Sequence, residues 1–90
     1  MSSVILIIED HSDICENTAE LLELAGYKVI TASNGKDGIE LAHKNKPDLI
    51  LCDIMMPQID GYGVLYALGN TPEISGLRLF FLLPNQKIVI

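Results

Sequence analysis

Apolar runs alternate with amphipathic segments along this chain. The run 4–8 contains only Val, Ile and Leu, which is typical of a strand buried on both faces of a sheet. The other predicted strands are 28–31, 48–54 and 77–83, with 87–90 as a candidate for a further short strand. The helical spacing of apolar residues predicts helices over about 12–25, from the turn at 33–35 to about 44, and over 61–68.

Turn and capping residues mark the ends of the predicted helices. Ser12 or Asp13 is expected to cap the first helix at its N-terminus. Asn34, paired with Asp37, is expected to cap the second, and Asp60 the third. The apolar residues expected on the buried face of the first helix are Ile14, Leu21, Leu22 and Ala25.

This alternation of buried strands and amphipathic helices predicts an α/β fold with a parallel sheet and helices on both faces. We find no repeat, linker or low-complexity stretch, so a single domain is expected. In such a sheet the functional site lies outside the carboxyl ends of the strands, where the strand order reverses.

Three acidic residues follow predicted strands. Glu9 and Asp10 come directly after the first strand, and Asp53 lies at the carboxyl end of the third. If these strands are neighbours, the carboxylates converge, and like charges about 4 Å apart repel by about 4 kcal/mol at an effective dielectric constant of 20. Mg²⁺ suits such oxygen ligands, and a carboxylate beside it is a candidate nucleophile toward a phosphoryl group. The alternative is that these acids are solvated loop residues, as most lone acids at strand ends are.

Several segments resemble the receiver domain of two-component response regulators. The segment Ile-Ile-Glu-Asp at 7–10 resembles the acidic pair of that family. The segment Asp-Leu-Ile-Leu-Cys-Asp-Ile-Met-Met-Pro at 48–57, with the following Asp60-Gly61, resembles the part that holds the phosphoacceptor. The resemblance extends from residue 1 to about 76, which we take as the core of the domain, and 77–90 as a fourth strand with an atypical tail.

The resemblance implies a function and a set of site residues. Asp53 would accept a phosphoryl group from a sensor histidine kinase or a phosphotransfer protein. Glu9, Asp10, Asp53 and the backbone carbonyl of Met55 would bind Mg²⁺. The protein would be a signalling module in a phosphorelay rather than an enzyme, and its sheet would be flavodoxin-like, in the order 2-1-3-4-5.

The chain departs from the family pattern near its end. The family has five βα units, whereas this sequence predicts about four strands and three helices, without the fifth βα unit. Where the family has a switch Ser or Thr after strand four, this chain has Leu83, and no residue matches the later Lys. Lys87 is a poor substitute, because the tail is expected to give it no scaffold. These features predict a truncated, frameshifted or naturally shortened receiver that switches poorly.

The apolar segment 77–90 leaves an uncovered strand edge, which is prone to pairing. We therefore expect self-association, such as dimerisation, with this segment pairing within or between chains. A second hypothesis is a non-switching interaction or oligomerisation fragment without phosphotransfer. A third, an independent Mg²⁺-dependent phosphatase or phosphotransferase, has little support because no separate general base is evident.

The charge and the apolar runs of the chain limit the classes of partner that we expect it to bind. A formal net charge of -6 and a pI near 4.6 argue against nucleic acid as a partner of this chain. The apolar run 4–8 is too short to span a membrane, and no charged segment precedes it as in a signal peptide. We therefore expect a cytoplasmic protein with reduced Cys15 and Cys52. His11 follows the acidic pair and is expected to be an exposed loop residue, with a proton shuttle or a soft-metal ligand as the alternatives.

Overall fold

Strands and helices alternate as the sequence predicts. The computed structural model describes residues 3–53, 56, 58–69, 80–82 and 87–89. The elements are β1 (Val4–Ile8), α1 (Ser12–Leu24), β2 (Lys28–Ala32), α2 (Gly35–Asn45), β3 (Leu49–Asp53), α3 (Gly61–Gly69), β4 (Phe80–Leu82) and β5 (Lys87–Val89). The rest of the predicted strand 77–83, including Leu83, lies outside the described residues.

The strands form one sheet in the order β2-β1-β3-β5-β4. β1 pairs in parallel with β2 on one side and with β3 on the other, so the predicted α/β fold is confirmed. β5, however, lies between β3 and β4 and is antiparallel to both, which differs from the implied order 2-1-3-4-5. The few residues between β4 and β5 account for the antiparallel pairing of these two strands, because a parallel crossover needs about a dozen residues or more.

The larger core lies on the face of the sheet covered by α2 and α3. Alternate residues of each strand point to this face, because side chains in a strand alternate between its two sides. Leu6 and Ile8 of β1 and Ile50 of β3 are fully buried there. Buried residues from the remaining elements complete the cluster: Ala32, Ala42, Cys52, Met56, Val64 and Leu68.

The opposite face of the sheet is covered by α1. Ile5 and Ile7 of β1 are buried against Cys15, with half-buried apolar residues around them: Ala19, Leu22, Val29 and Leu49. The predicted buried face of α1 is wrong at Ile14, Leu21 and Ala25, which are exposed. The stripe that contacts the sheet is Cys15, Ala19 and Leu22, spaced i, i+4 and i+7, and its two small residues let the helix approach the sheet.

Two of the three predicted caps are present. The side chain of Asn34 accepts a hydrogen bond from Asp37 N at 2.8 Å, and Asp60 Oδ1 accepts one from Gly63 N at 2.9 Å. The predicted cap of α1 is wrong, because the N-cap residue is His11 and its side chain makes no capping hydrogen bond. His11 is thus both the N-cap residue of α1 and the neighbour of the acidic pair Glu9-Asp10.

Among the helices in the described ranges, none combines the length and the hydrophobicity needed to cross a bilayer.

Candidate metal centre

The parallel pairing of β1 with β3 brings three acidic residues to one edge of the sheet. Ile8 pairs with Cys52 in the register, so the next residue of each strand, Glu9 and Asp53, lies at the same carboxyl edge. A hydrogen bond from Glu9 N to Ala32 O, at 3.0 Å, continues the β1–β2 pairing past the end of β1. β1 is flanked by parallel strands on both sides, so this edge is where the strand order reverses.

Carboxylate oxygens of Glu9, Asp10 and Asp53 and a ring nitrogen of His11 all lie within 4.8 Å of one another. The convergence of the three acids is what the strand pattern predicts. Met55, whose backbone carbonyl is implied as a further ligand, lies outside the described residues. Within the described part of the chain, the cluster therefore contains three carboxylates and one imidazole.

Glu9 and Asp53 are buried although they are acidic. Glu9 is 2% exposed and Asp53 is 9% exposed. Burying an ionised carboxylate is costly unless hydrogen bonds or an opposite charge compensate it. Glu9 Oε2 accepts hydrogen bonds at 3.3 Å from both the backbone nitrogen and Nδ1 of His11, which meets part of that need.

Asp10 is the more accessible member of the acidic pair, yet one of its oxygens is buried. The Oδ1 atom of Asp10 is shielded from solvent and has no hydrogen-bond partner. His11 Nδ1 lies 3.2 Å from this oxygen, but the direction of the contact does not make a hydrogen bond. A cation at this position would satisfy the oxygen, so the donor set fits a divalent metal ion.

His11 is the residue whose role the sequence did not anticipate. Its side chain is exposed, as expected, but its ring turns back onto the acids. The pKa of His11 is raised above its usual value, first by the hydrogen bond to Glu9 and then by the negative charge of Asp10. Its position directly after the acidic pair was the only available signal, and sequence alone does not give the path of the turn.

A cleft of about 200 Å³ opens beside the cluster. Its lining comes from the end of β1, the first turns of α1 and the end of β2: Glu9, Asp10, Ser12, Cys15, Glu16, Thr31, Ala32 and Ser33. The cleft therefore connects the acidic pair with solvent and has room for a hydrated cation.

The antiparallel strand β5 gives Lys87 a defined place next to the site. Its backbone lies opposite Asp53 in the β3–β5 register. The sequence-based expectation that the tail leaves Lys87 without a scaffold is thus wrong for its backbone.

A family model described as the response regulator receiver domain matches residues 5–87 of the chain. The "Probable transcriptional regulator ycf27" of Guillardia theta is 43% identical over 75 residues, which cover 83% of this chain and 30% of that protein. The "Alkaline phosphatase synthesis transcriptional regulatory protein PhoP" of Bacillus subtilis is 42% identical over 64 residues, covering 71% of this chain and 27% of that protein. The chain thus spans less than a third of the length of these curated relatives.

A solved structure of the chemotaxis protein CheY4 of Vibrio cholerae is similar in fold. It superimposes with a TM-score of 0.82 at 26% sequence identity, over 86% of this chain and 64% of that one. The family-model match, over residues 5–87, includes the carboxyl ends of β1 and β3.

Proposed function

This chain belongs to the response regulator receiver domain family, and on that premise we propose that it accepts a phosphoryl group on Asp53. The donor is a sensor histidine kinase or a phosphotransfer protein, and the reaction requires Mg²⁺. The observation that carries the proposal is the convergence of Glu9, Asp10 and Asp53 at the carboxyl edge of β1 and β3.

The proposed chemistry begins with a carboxylate oxygen of Asp53. That oxygen attacks the phosphorus, a P–O bond forms, and the P–N bond to the donor histidine breaks, which leaves an acyl phosphate on Asp53. Burial of Asp53 limits the access of water to the attacking group. Glu9 and Asp10, with the carbonyl of Met55, would hold Mg²⁺. The ion, when bound, offsets the negative charge of the phosphoryl oxygens.

The resemblance leaves two phosphate-binding groups without a matching residue, a hydroxyl and a lysine. Leu83 has no hydroxyl and lies outside the described residues, so a switch of the family type is not proposed. The backbone of Lys87 lies opposite Asp53 in the β3–β5 register. We include Lys87 as a candidate partner of the phosphoryl group, and Lys87→Gln should shorten the lifetime of the adduct.

The test is phosphorylation followed by intact mass spectrometry. The protein is incubated with Mg²⁺ and a small phosphodonor, and we expect an added phosphoryl group on the wild type and none on Asp53→Asn. The matched control is Asp60→Asn, because Asp60 lies outside the cluster and Asn is an equally good cap for α3. An adduct that persists in Asp53→Asn contradicts the proposal, as does a folded wild type without an adduct.

A second candidate function is self-association without phosphotransfer, and the sheet topology favours it. β4 lies at one end of the described sheet and has β5 as its neighbour there. An open strand edge can pair with another chain, and an edge lysine suppresses such pairing. In light scattering we expect the mass to rise with concentration for the wild type and to stay monomeric for Phe81→Lys. A monodisperse wild-type monomer at high concentration contradicts this candidate.

A further inference from the structure

The edge of the sheet at β2 lies between two clefts. Within the described ranges β2 is an end strand, with β1 as its neighbour. The last residues of β2, Thr31 and Ala32, and the following Ser33 line a cleft of about 460 Å³ on the side of α2. The same three residues line the cleft of about 200 Å³ on the side of α1. An extended chain placed beside β2 would therefore have a cleft on each of its faces.

The backbone of β2 offers hydrogen-bonding groups at this edge. Lys28 N donates to Ser3 O at 3.0 Å, and Ala32 O accepts from Glu9 N at 3.0 Å, so both residues bond to the chain of β1. Residues two apart in a parallel ladder bond to the same neighbour, and the residues between them direct their N–H and C=O groups to the other side. Thr31 therefore points its backbone groups away from β1, toward a position where a further strand can pair.

The helix α2 supplies the charges of the larger cleft. Its lining residues recur at helical spacing and form one stripe beside the β2 edge: Asp37, Glu40, Leu41 and Lys44. The acids come first along α2, and Lys44 lies in its last turn. Glu40 and Lys44 are both exposed, and they are about 6 Å apart along the helix axis.

We propose that an extended segment of a partner protein adds to the sheet beside β2 and carries a basic and an acidic residue two positions apart. Side chains two positions apart in a strand lie on the same face, about 7 Å from each other, which matches the spacing of Glu40 and Lys44. The basic side chain would face Glu40 and the acidic side chain would face Lys44. This binding surface goes beyond phosphoryl transfer and does not depend on it.

The connection between β2 and α2 sets the order of the two charges. Because the chain passes from the end of β2 at Ala32 directly to the start of α2 at Gly35, the acids of α2 lie nearer the carboxyl end of β2. Antiparallel pairing is slightly more stable per residue than parallel pairing. A segment antiparallel to β2 would carry its basic residue first and its acidic residue second.

The charges at this edge favour such a partner over a second copy of the chain. Each copy has a formal net charge of -6, and the cleft on the side of α1 contains three further acids, Glu9, Asp10 and Glu16. β2 itself has no acidic residue that could face Lys44. Lys28, exposed at the start of β2, is the kind of edge lysine that suppresses pairing, so the segment should pair with the carboxyl half of β2, beside the clefts.

The charge pattern is tested with a fluorescein-labelled peptide, Ser-Thr-Lys-Thr-Glu-Thr-Ser, whose binding is followed by fluorescence anisotropy. Thr favours an extended conformation. We expect the wild type to bind this peptide, and Glu40→Gln and Lys44→Gln each to weaken binding by up to about fivefold, as for an exposed ion pair. The matched controls are Glu23→Gln in α1 and Lys36→Gln in α2, which lie outside the lining of the cleft and should bind as the wild type does.

The backbone pairing is tested from both sides of the edge. The peptide is N-methylated at alternate residues, in two complementary sets, of which only one faces β2. We expect one set to weaken binding by about tenfold through lost hydrogen bonds and the other to have little effect. In the protein, Thr31→Pro removes the outward N–H and should also weaken binding, while the β1–β2 pairing survives because Pro is tolerated where the N–H faces solvent.

Three results would overturn the inference. The first is a folded wild type that does not bind the peptide. The second is binding that the two charge substitutions and both methylated sets leave unchanged, since neither the charges nor the backbone would then contribute. The third is a wild-type dimer that Thr31→Pro, but not Phe81→Lys, makes monomeric in light scattering, because a second copy of the chain would then pair with β2.

Discussion

The two faces of the sheet are built from the same strands but are covered differently. On β1, Leu6 and Ile8 face the layer formed by α2 and α3, whereas Ile5 and Ile7 face α1. Two helices and buried residues from β1, β2 and β3 make the first face a continuous core. On the second face, Cys15 is the buried contribution of α1 among the described residues, and the surrounding apolar side chains are only half-buried.

This difference shows that a continuous apolar strand does not determine how well each of its faces is packed. Ile7 and Ile8 are adjacent, identical in type and both buried. What differs is the layer that covers each residue, which is α2 and α3 for Ile8 and α1 for Ile7. α1 also carries exposed apolar residues, of which Leu24 is 80% exposed. The solvent-facing surface of α1 is therefore more apolar than that of α2.

The largest expected effect comes from truncating Ile8, with Ile7 as the matched control. Ile8→Ala should lower the free energy of unfolding by about 4 kcal/mol and Ile7→Ala by about 2 kcal/mol, because the cost of a cavity depends on how well the site can collapse. Urea unfolding followed by circular dichroism measures both. If Ile8→Ala does not fold, Ile8→Val and Ile7→Val give the same comparison with a smaller loss in the free energy of unfolding. Equal losses would show that the two faces are packed alike.

The next effect concerns the close packing of α2 on β1. A Cβ at Gly38 would collide with the side chain of Ile8, whose Cγ1 atom would lie only 2.6 Å away. We expect Gly38→Ala to destabilise the protein by about 2 kcal/mol, despite the better helix propensity of Ala, because overpacking a buried core is costly. Gly69→Ala is the control, since a Cβ there meets nothing within 4 Å. A neutral Gly38→Ala would mean that α2 stands farther from the sheet.

A smaller effect is expected on the α1 face. Leu22 packs against the smaller core, whereas Leu24 is exposed. Leu22→Ala should cost about 2 kcal/mol, and Leu24→Ala should change the free energy of unfolding by less than about 0.5 kcal/mol. If Leu24→Ala costs as much as Leu22→Ala, and the loss grows with protein concentration, another copy of the chain covers this face.

The smallest effect lies at the carboxyl edge, where both faces end. The pKa of His11 is raised in the folded protein by Glu9 first and by Asp10 second, so the protonated ring favours folding. This contribution is fully present below the ordinary histidine pKa and is lost as the pH rises through the higher folded value. In metal-free protein, an NMR titration should show that Glu9→Gln lowers the pKa of His11. An unchanged pKa in that variant would contradict the contact with Glu9.

Much of the fold follows from local patterns in the sequence. The bounds of β1 were predicted to the residue, and those of α1, β2, β3 and α3 to within one residue. Strands and helices of this length are specified by the period of their apolar residues and by caps such as Asn34 and Asp60, all of which are local. The convergence of Glu9, Asp10 and Asp53 was also predictable, because parallel strands end at the same edge.

Other features depended on contacts between distant parts of the chain. Sequence favoured the large residues Ile14 and Leu21 for the buried face of α1, yet Cys15 and Ala19 contact the sheet, because close approach to the sheet selects small side chains. The resemblance implied β4 beside β3. β5 lies there instead, antiparallel to both of its neighbours, with Lys87 opposite Asp53 in the register.

The sequence by itself therefore determined the order of elements and the acidic residues at the ends of β1 and β3. Only the tertiary structure decided that His11 joins those acids, that β5 lies next to the site, and that the two faces of the sheet are packed unequally. The physical reason is the distance along the chain over which each interaction acts. Apolar periodicity and helix capping involve residues only a few positions apart. The path of a turn, the order of strands and the depth of a core depend on which distant surfaces fit together.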